Sequence, residues 1–238
     1  MKPSSVEMQS LIYARFSGVL YLTIIVFGIS SEVFIRSGLI VTGDAAATAT
    51  NILASKGLFR TGFALDAIML LSDVAIAILF YQLLKPVSKT LSLMAAAFRL
   101  MQAAILGFNL LNYYAPMLLL SEAGYMNAFE TGQLHALALF YLDLHSYGYD
   151  LGLLFFALSN LILGYLIIRS DYFPSILGYG LQAAAVVYLV GSFTRFLVPD
   201  YVSLVEPAYV IPLLAELSFC LWLLIKGIKT RSLPEAAG

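Results

Sequence analysis

The sequence is poor in charged residues and in cysteine, and each shortage excludes a class of protein. Lys, Arg, Asp and Glu make up only 11% of the 238 residues, with a formal net charge of -1, so no nucleic-acid partner is expected. The single cysteine, Cys220, cannot form an intrachain disulfide. Nucleophile motifs, phosphate loops and dinucleotide fingerprints do not occur, so the sequence predicts no cofactor.

Apolar residues are abundant. They make up 61% of the chain, and the mean hydropathy is +0.90. Backbone groups in lipid must hydrogen-bond within helices or closed barrels, and the apolar runs are too continuous for the alternating strands of a barrel. The sequence therefore predicts one all-α, polytopic membrane domain over residues 1–238. Its six predicted transmembrane helices lie near Phe16–Ile35, Gly62–Leu84, Leu91–Leu120, Tyr149–Ile168, Ile176–Leu197 and Tyr209–Ile228.

Two connections between these runs are predicted to be more than simple loops. "GDAAATATNILASKG" begins with Asp44, a favourable N-cap, and ends with Gly57, which suits the position after a helix. This segment predicts a short amphipathic helix at the outer face. For "NAFETGQLHALALFYLDLHS" two interpretations stay open: it lies along the outer interface, or it extends the fourth span beyond the bilayer.

The basic residues indicate how the chain crosses the membrane. An even number of spans places both termini on one side, and positive residues accumulate on the cytoplasmic side. Eight basic residues fall on the side of the termini and four on the other, so both termini are predicted to be cytoplasmic. The eight are Lys2, Arg15, Lys85, Lys89, Arg169, Lys226, Lys229 and Arg231, and the four are Arg36, Lys56, Arg60 and Arg195.

Polar side chains inside the spans are the candidate functional residues. An ionisable group near the bilayer centre costs about 2.5–3.5 kcal/mol, so such groups normally face the bundle interior and find partners. We predict a polar cavity open to the outer face, with further ionisable groups near mid-membrane depth. The ligand-binding candidates are Asp66, Asn109, Asn112, Asp143, Tyr147 and Asp150 in the outer half, and Asp73, Arg99 and Glu216 deeper.

The segment "YLDLHSYGYDLG" concentrates several of these candidates. On a helix, Asp143, Tyr147 and Asp150 share one face, while His145 and Tyr149 point away from it. A structural interpretation competes with the functional one, because tyrosines at a membrane interface anchor helices without binding any ligand.

Structural roles compete with function at the other candidates too. Ion pairs can fix helix register, and asparagine amides can join helices by hydrogen bonds. The structural alternatives pair Glu32 with Arg36 and Arg99 with Asp73 or Glu216, and they let Asp66 bond Arg60 or cap a helix end. They assign Asn109 and Asn112 to interhelical hydrogen bonds.

Three functions are consistent with this pattern. A cavity rich in carboxylates, amides and tyrosines suits a cationic or polyhydroxylated small molecule or a lipid headgroup, and transport is an extension of such binding. The first alternative is a membrane-embedded, metal-dependent hydrolase that uses Asp143 and His145 as ligands. Asp143 and His145 are two residues apart, so on a helix their side chains point to different sides. This argues against a metal site formed by the two. The second alternative is an accessory subunit whose polar groups only join helices.

Several segments together resemble a known family. They are "ARFSGVLYLTIIVFGI", "GDAAATATNILAS", "LFRTGFALDAIMLLSDVAIAILFYQLLKPVSKTLSLMAAAFRLMQAAILG" and "GYLIIRSDYFPSILGYGL", and they cover almost the whole chain. They are similar to the bacterial integral-membrane family called domain of unknown function 4386. The resemblance implies a multi-pass protein of a prokaryotic cytoplasmic membrane and carries no activity with it.

Overall fold

Long helices account for most of the chain in the computed structural model, which describes residues 5–121 and 123–229. Seven helices are labelled in chain order. They are α1 (Ser5–Ile29), α2 (Ala45–Ala54), α3 (Lys56–Leu84), α4 (Lys89–Leu119), α5 (Thr131–Arg169), α6 (Ser175–Leu197) and α7 (Val210–Ile225).

Six helical segments are long and apolar enough to cross a membrane. The prediction of an all-α, polytopic membrane fold with six spans is therefore confirmed. Large apolar side chains cover the outside of these segments: Leu71, Phe108 and Ile176 expose 71%, 74% and 72% of their surface. The segments are Met8–Leu39, Lys56–Leu84, Lys89–Leu119, Thr131–Arg169, Ser175–Leu197 and Pro199–Ile225.

Helix α5 decides between the two interpretations of the segment that precedes the fourth apolar run. It is one uninterrupted helix of 39 residues. At a rise of roughly 1.5 Å per residue it is about 58 Å long, whereas the hydrocarbon core of a bilayer is only about 30 Å thick. The segment thus extends the fourth span, and His135 and His145 lie on the same continuous helix.

The short helix α2 begins as predicted and ends differently. The Asp44 side chain accepts a hydrogen bond from the backbone N–H of Ala47 at 2.9 Å, which confirms the predicted N-cap. The prediction that Gly57 follows the helix end was wrong, because Gly57 lies inside α3. At Ser55 the N–H bonds the carbonyls of Asn51 and Ile52, and the next helix begins at once. The turn needs no left-handed residue, since Ser55 has a φ of -127°.

The described residues form two compact units, each built from several segments of the chain. The first unit comprises the chain up to Leu22, Ser72–Gln102 and the chain from Gly152 onward. The second unit comprises Thr23–Leu71 and Ala103–Leu151. Several helices contribute one part of their length to each unit.

Aromatic and small residues build the two cores in different ways. In the second unit the rings of Phe59 and Tyr113 stack, with centroids 4.4 Å apart and planes 5° from parallel. In the first unit α5 and α6 approach very closely, because each has a glycine where the other backbone passes. A Cβ on Gly164 would lie 2.6 Å from the carbonyl oxygen of Gly178. This contact leaves no room for a side chain at Gly164.

Candidate functional site

An irregular turn in the first span positions the polar cluster of the second unit. Helix α1 continues as a π-helix over Ser30–Arg36. In a π-helix, residues five apart are hydrogen-bonding neighbours, and Arg36 Nη1 accordingly donates to Ser31 Oγ at 2.9 Å. No residue pattern in the sequence predicts this turn, since a π-helix has no distinctive residue pattern.

Arg36 links an exposed carboxylate to a buried one. Its Nε donates to Glu32 Oε2 at 2.6 Å, and its Nη1 donates to Asp66 Oδ2 at 2.6 Å. The Glu32 side chain is 66% exposed and the Asp66 side chain 4% exposed. The predicted ion pair of Glu32 with Arg36 is confirmed. The alternative that paired Asp66 with Arg60 was wrong, because Asp66 faces the π-helix of α1 while Arg60 is exposed.

Asn109 ties α4 to α5 in the same unit. Its Nδ2 donates to the backbone carbonyl of His145 at 2.7 Å, and Asn112 Nδ2 donates to Asn109 Oδ1 at 2.9 Å. His145 Nδ1 in turn lies within hydrogen-bond distance of the backbone oxygen of Asn109, at 3.2 Å. Gly148 makes this approach feasible, because a Cβ there would collide with the Asn109 amide. The interhelical role expected for Asn109 is confirmed, whereas the bond of Asn112 stays within α4.

Aromatic contacts connect these two groups of polar residues. The Arg36 guanidinium lies 5.8 Å from the centroid of the Tyr113 ring, and that ring lies 5.4 Å from the ring of His145. Tyr113 itself donates to the backbone carbonyl of Phe59 at 3.0 Å. A continuous series of contacts therefore runs from Asp66 through Arg36, Tyr113 and His145 to Asn109.

Burial differs among the residues of "YLDLHSYGYDLG" that share the predicted carboxylate face. Asp150 is buried, whereas Asp143 and Tyr147 are exposed. His145, which was predicted to point away from the carboxylates, is also buried, because α4 packs against it through Asn109.

The alternative metal site has only two ligand-type residues in unlike environments. Asp143 is exposed, while His145 is buried and directs Nδ1 toward a backbone oxygen of α4. Over residues 5–121 and 123–229, no group of three or more His, Cys, Asp and Glu side chains is placed to hold a metal ion.

A second buried ion pair organises the interior of the first unit. Arg99 Nε donates to Asp73 Oδ1 at 2.8 Å, and Arg99 Nη2 lies 2.5 Å from the same oxygen. The other oxygen of Asp73 accepts from Gln102 Nε2 at 3.1 Å. Of the two partners that the sequence allowed for Arg99, the ion pair is made with Asp73.

Glu216 has two uncharged hydrogen-bond partners in the same unit. Its Oε1 accepts hydrogen bonds from Asn160 Nδ2 at 3.1 Å and from the Tyr188 hydroxyl at 3.0 Å. Sequence reasoning did not select Asn160, although one asparagine inside the apolar run "ALSNLILGYL" is a usable signal. Tyr188 carried no such signal, because many tyrosines occur in these spans.

A small cavity lies beside Arg99. Its volume is about 10 Å³, which is near the lower limit of the room that one water molecule needs. Apolar side chains form most of its wall, and Ser92, Ser159 and Arg99 are the polar residues that line it.

Six membrane-length helices and two buried arginine–aspartate pairs define a multi-pass helical membrane protein with polar clusters in its interior. The chain belongs to the family described as "Domain of unknown function (DUF4386)", which matches residues 16–227. This confirms the resemblance seen in the sequence. A relative from Archaeoglobus fulgidus, named "Uncharacterized protein", is 29% identical over 167 residues, covering 68% of this chain and 81% of the relative. No solved structure matches the chain.

Proposed function

We propose that this membrane protein binds a small molecule or a lipid headgroup through the polar cluster of the second unit. The observation that carries the proposal is Asp66 Oδ1, which is buried and has no hydrogen-bond partner among the described residues. An unsatisfied buried acceptor costs about 1–3 kcal/mol, and more when it is charged. A ligand that donates a hydrogen bond to Asp66 would remove that cost.

The acidic character of the cluster favours a cationic or hydroxylated ligand. Glu32 and Asp66 share the guanidinium of Arg36, and Asp150 is buried in the same unit. Ammonium and hydroxyl groups supply the donors that such carboxylates accept. Arg36 also suggests how a ligand enters the cluster. Its guanidinium bridges the exposed Glu32 and the buried Asp66, so a cationic ligand that displaces this guanidinium would reach Asp66 from the surface.

Transport is an extension of this proposal, and an accessory role is the second candidate. Transport would require the Asp66 site to open alternately to the two sides of the membrane. The accessory role is supported by Asn109, whose amide already bonds α4 to α5, and by Asn112, which in turn donates to Asn109. In that case the cluster joins helices and holds no ligand.

The ligand proposal predicts that Asp66→Asn loses a molecule that the wild-type protein retains. Protein purified in mild detergent is extracted with organic solvent, and the extracted lipids and small molecules are identified by mass spectrometry. Asp143→Asn is the matched control, because its carboxylate is exposed. We expect wild type and Asp143→Asn to retain the same molecule and Asp66→Asn to retain at least about tenfold less, as the loss of one charge-assisted hydrogen bond implies.

A second variant separates loss of ligand from loss of folding. Asn112 is only half-buried and donates to Asn109, so Asn112→Ala is expected to weaken ligand retention while the protein stays monodisperse. Identical extracts from wild type, Asp66→Asn and Asn112→Ala would refute ligand binding at this cluster and favour the accessory role. A metal found at one equivalent per chain and lost in His145→Ala would instead favour the hydrolase.

We also propose that the protein lies in a prokaryotic cytoplasmic membrane with both termini in the cytoplasm. Six spans and the excess of basic residues on the side of the termini support this orientation. Two of the basic residues counted, Lys2 and Arg231, lie outside the described residues. The archaeal relative supports a prokaryotic membrane.

Cysteine labelling tests the orientation. Cys220 is buried, so it contributes little background, and Thr42 and Thr90 are both exposed. We expect a membrane-impermeant maleimide to label Thr42→Cys in intact cells, and Thr90→Cys only after the membrane is permeabilised. The reverse pattern would show that the termini face outward.

A further inference from the structure

Arg99 is a fully buried cation that uses only one edge of its guanidinium. A guanidinium has a side edge, formed by Nε and one Nη, and an end edge formed by the two Nη atoms. In Arg99 the side edge faces Asp73, with Nε and Nη2 at 2.8 and 2.5 Å from a single oxygen. Nη1 has no hydrogen-bond partner among the described residues, and Nη2 contacts Asp73 as an ion pair without making a well-directed hydrogen bond. The end edge therefore carries donors without an acceptor.

Asp73 divides its two oxygens between two partners. Oδ2 accepts a hydrogen bond from Gln102 Nε2 at 3.1 Å, and Arg99 contacts only Oδ1. Arg99 thus pairs with one oxygen of Asp73, whereas an arginine and a carboxylate commonly form two parallel hydrogen bonds that use both oxygens.

The other buried arginine has more side-chain partners. Nε and Nη1 of Arg36 bond to Glu32, Ser31 and Asp66, and no fully buried nitrogen of Arg36 lacks a partner. Buried polar groups are almost always satisfied, so the unpaired end edge of Arg99 points to an acceptor supplied from outside the chain.

Aromatic rings surround this cation and stabilise its charge without accepting its N–H groups. The guanidinium carbon lies 4.9 Å from the ring centroid of Phe156, 5.5 Å from that of Tyr21 and 5.9 Å from that of Phe80. Cation–π contacts of this kind favour a desolvated cation. They keep Arg99 in place while its end edge stays available.

The cavity beside Arg99 limits the size of the acceptor. About 10 Å³ accommodates one atom of about the size of a water oxygen. Ser92 and Ser159, which line it, donate their hydroxyl hydrogens to the carbonyls of Lys89 and Ala95. The cation is thus the strongest donor that the cavity wall offers.

We propose that the first unit holds a small inorganic anion, of the size of a halide ion, against the Nη1–Nη2 edge of Arg99. The two Nη atoms donate to the anion, while Asp73 keeps the side edge. A phosphate headgroup is too large for the cavity, so the anion comes from solution and is not part of a lipid. This site lies in a different unit from the Asp66 cluster and does not depend on the proposed function.

Thermal unfolding of the full-length protein in detergent tests the site. Sodium gluconate, whose anion is too large for the cavity, is replaced stepwise by sodium fluoride or sodium chloride at constant ionic strength. We expect at least one of the two halides to raise the Tm of the wild-type protein and the rise to saturate, as binding to the folded state requires. A Tm that is the same in gluconate and in both halides would overturn the proposal and leave water as the partner of Arg99.

Two matched variants locate the effect. Arg99→Lys keeps the charge and removes the end edge, whereas Arg36→Lys changes the buried arginine of the second unit, which bonds through Nε and Nη1 to Glu32, Ser31 and Asp66. We expect the halide affinity to fall about tenfold or more in Arg99→Lys, because charge-assisted hydrogen bonds are lost, and to be retained in Arg36→Lys. Equal loss in both variants would place the anion elsewhere. Should Arg99→Lys fail to fold, the wild-type titration still decides whether a halide binds.

Discussion

Asp73→Ala is expected to lower the free energy of unfolding by about 3–5 kcal/mol, because it leaves a buried arginine without its ion partner. Arg99 is 1% exposed and pairs with Asp73 through Nε and Nη2. The aromatic rings around it provide no acceptor for its N–H groups. Reversible unfolding by a denaturing detergent in mixed micelles measures the change.

Two controls show whether the loss comes from an uncompensated charge. Asp143→Ala removes an exposed carboxylate and is expected to change stability by less than about 0.5 kcal/mol. The double variant Asp73→Leu with Arg99→Met removes both charges, and it should be less destabilised than Asp73→Ala alone. A double variant that loses more than the single one would show that packing, and not the buried charge, dominates at this site.

Gly164→Ala is expected to destabilise the first unit by about 1–3 kcal/mol, the usual cost of overpacking. The new Cβ would lie 2.6 Å from the carbonyl oxygen of Gly178, which is backbone and cannot turn aside. Helices α5 and α6 would have to separate, and their shared packing would weaken. The same unfolding measurement reports the effect.

Gly107→Ala is the matched control, because it makes the same substitution in a helix where space is available. Apart from the chain neighbours and the backbone of the same helix, no atom lies within 4 Å of the Cβ position at Gly107, and alanine is the better helix former by about 1 kcal/mol. We expect stability to stay unchanged or to rise. Similar losses at Gly107 and Gly164 would mean that close packing of α5 against α6 is not the cause.

The sequence was sufficient to predict the helices and the spans, because hydrophobicity and length act locally. All six apolar runs became membrane-length helices, and Asp44 capped α2 through its own side chain. The end of α2 was less predictable. A glycine is favourable after a helix, yet Ser55 makes the turn without a positive φ.

The partners of the buried charges were harder to predict, because they depend on how each helix is rotated about its axis. A separation of four residues was enough to identify Glu32 and Arg36 as a pair. Asp66 instead pairs with Arg36, thirty residues away on another helix, and neither the π-helix nor this contact leaves a local pattern. Helical spacing likewise could not show that α4 buries His145 and leaves Asp143 exposed.

The buried cluster around Asp66 is proposed to hold a ligand. Native mass spectrometry of the wild-type protein, released from mild detergent, is the decisive test, with metal analysis on the same sample. We predict a species heavier than the bare chain by one small molecule or lipid, in which the ligand has an amine or hydroxyl groups. A bare chain under the gentlest release conditions, or one equivalent of zinc without an organic ligand, would contradict the claim.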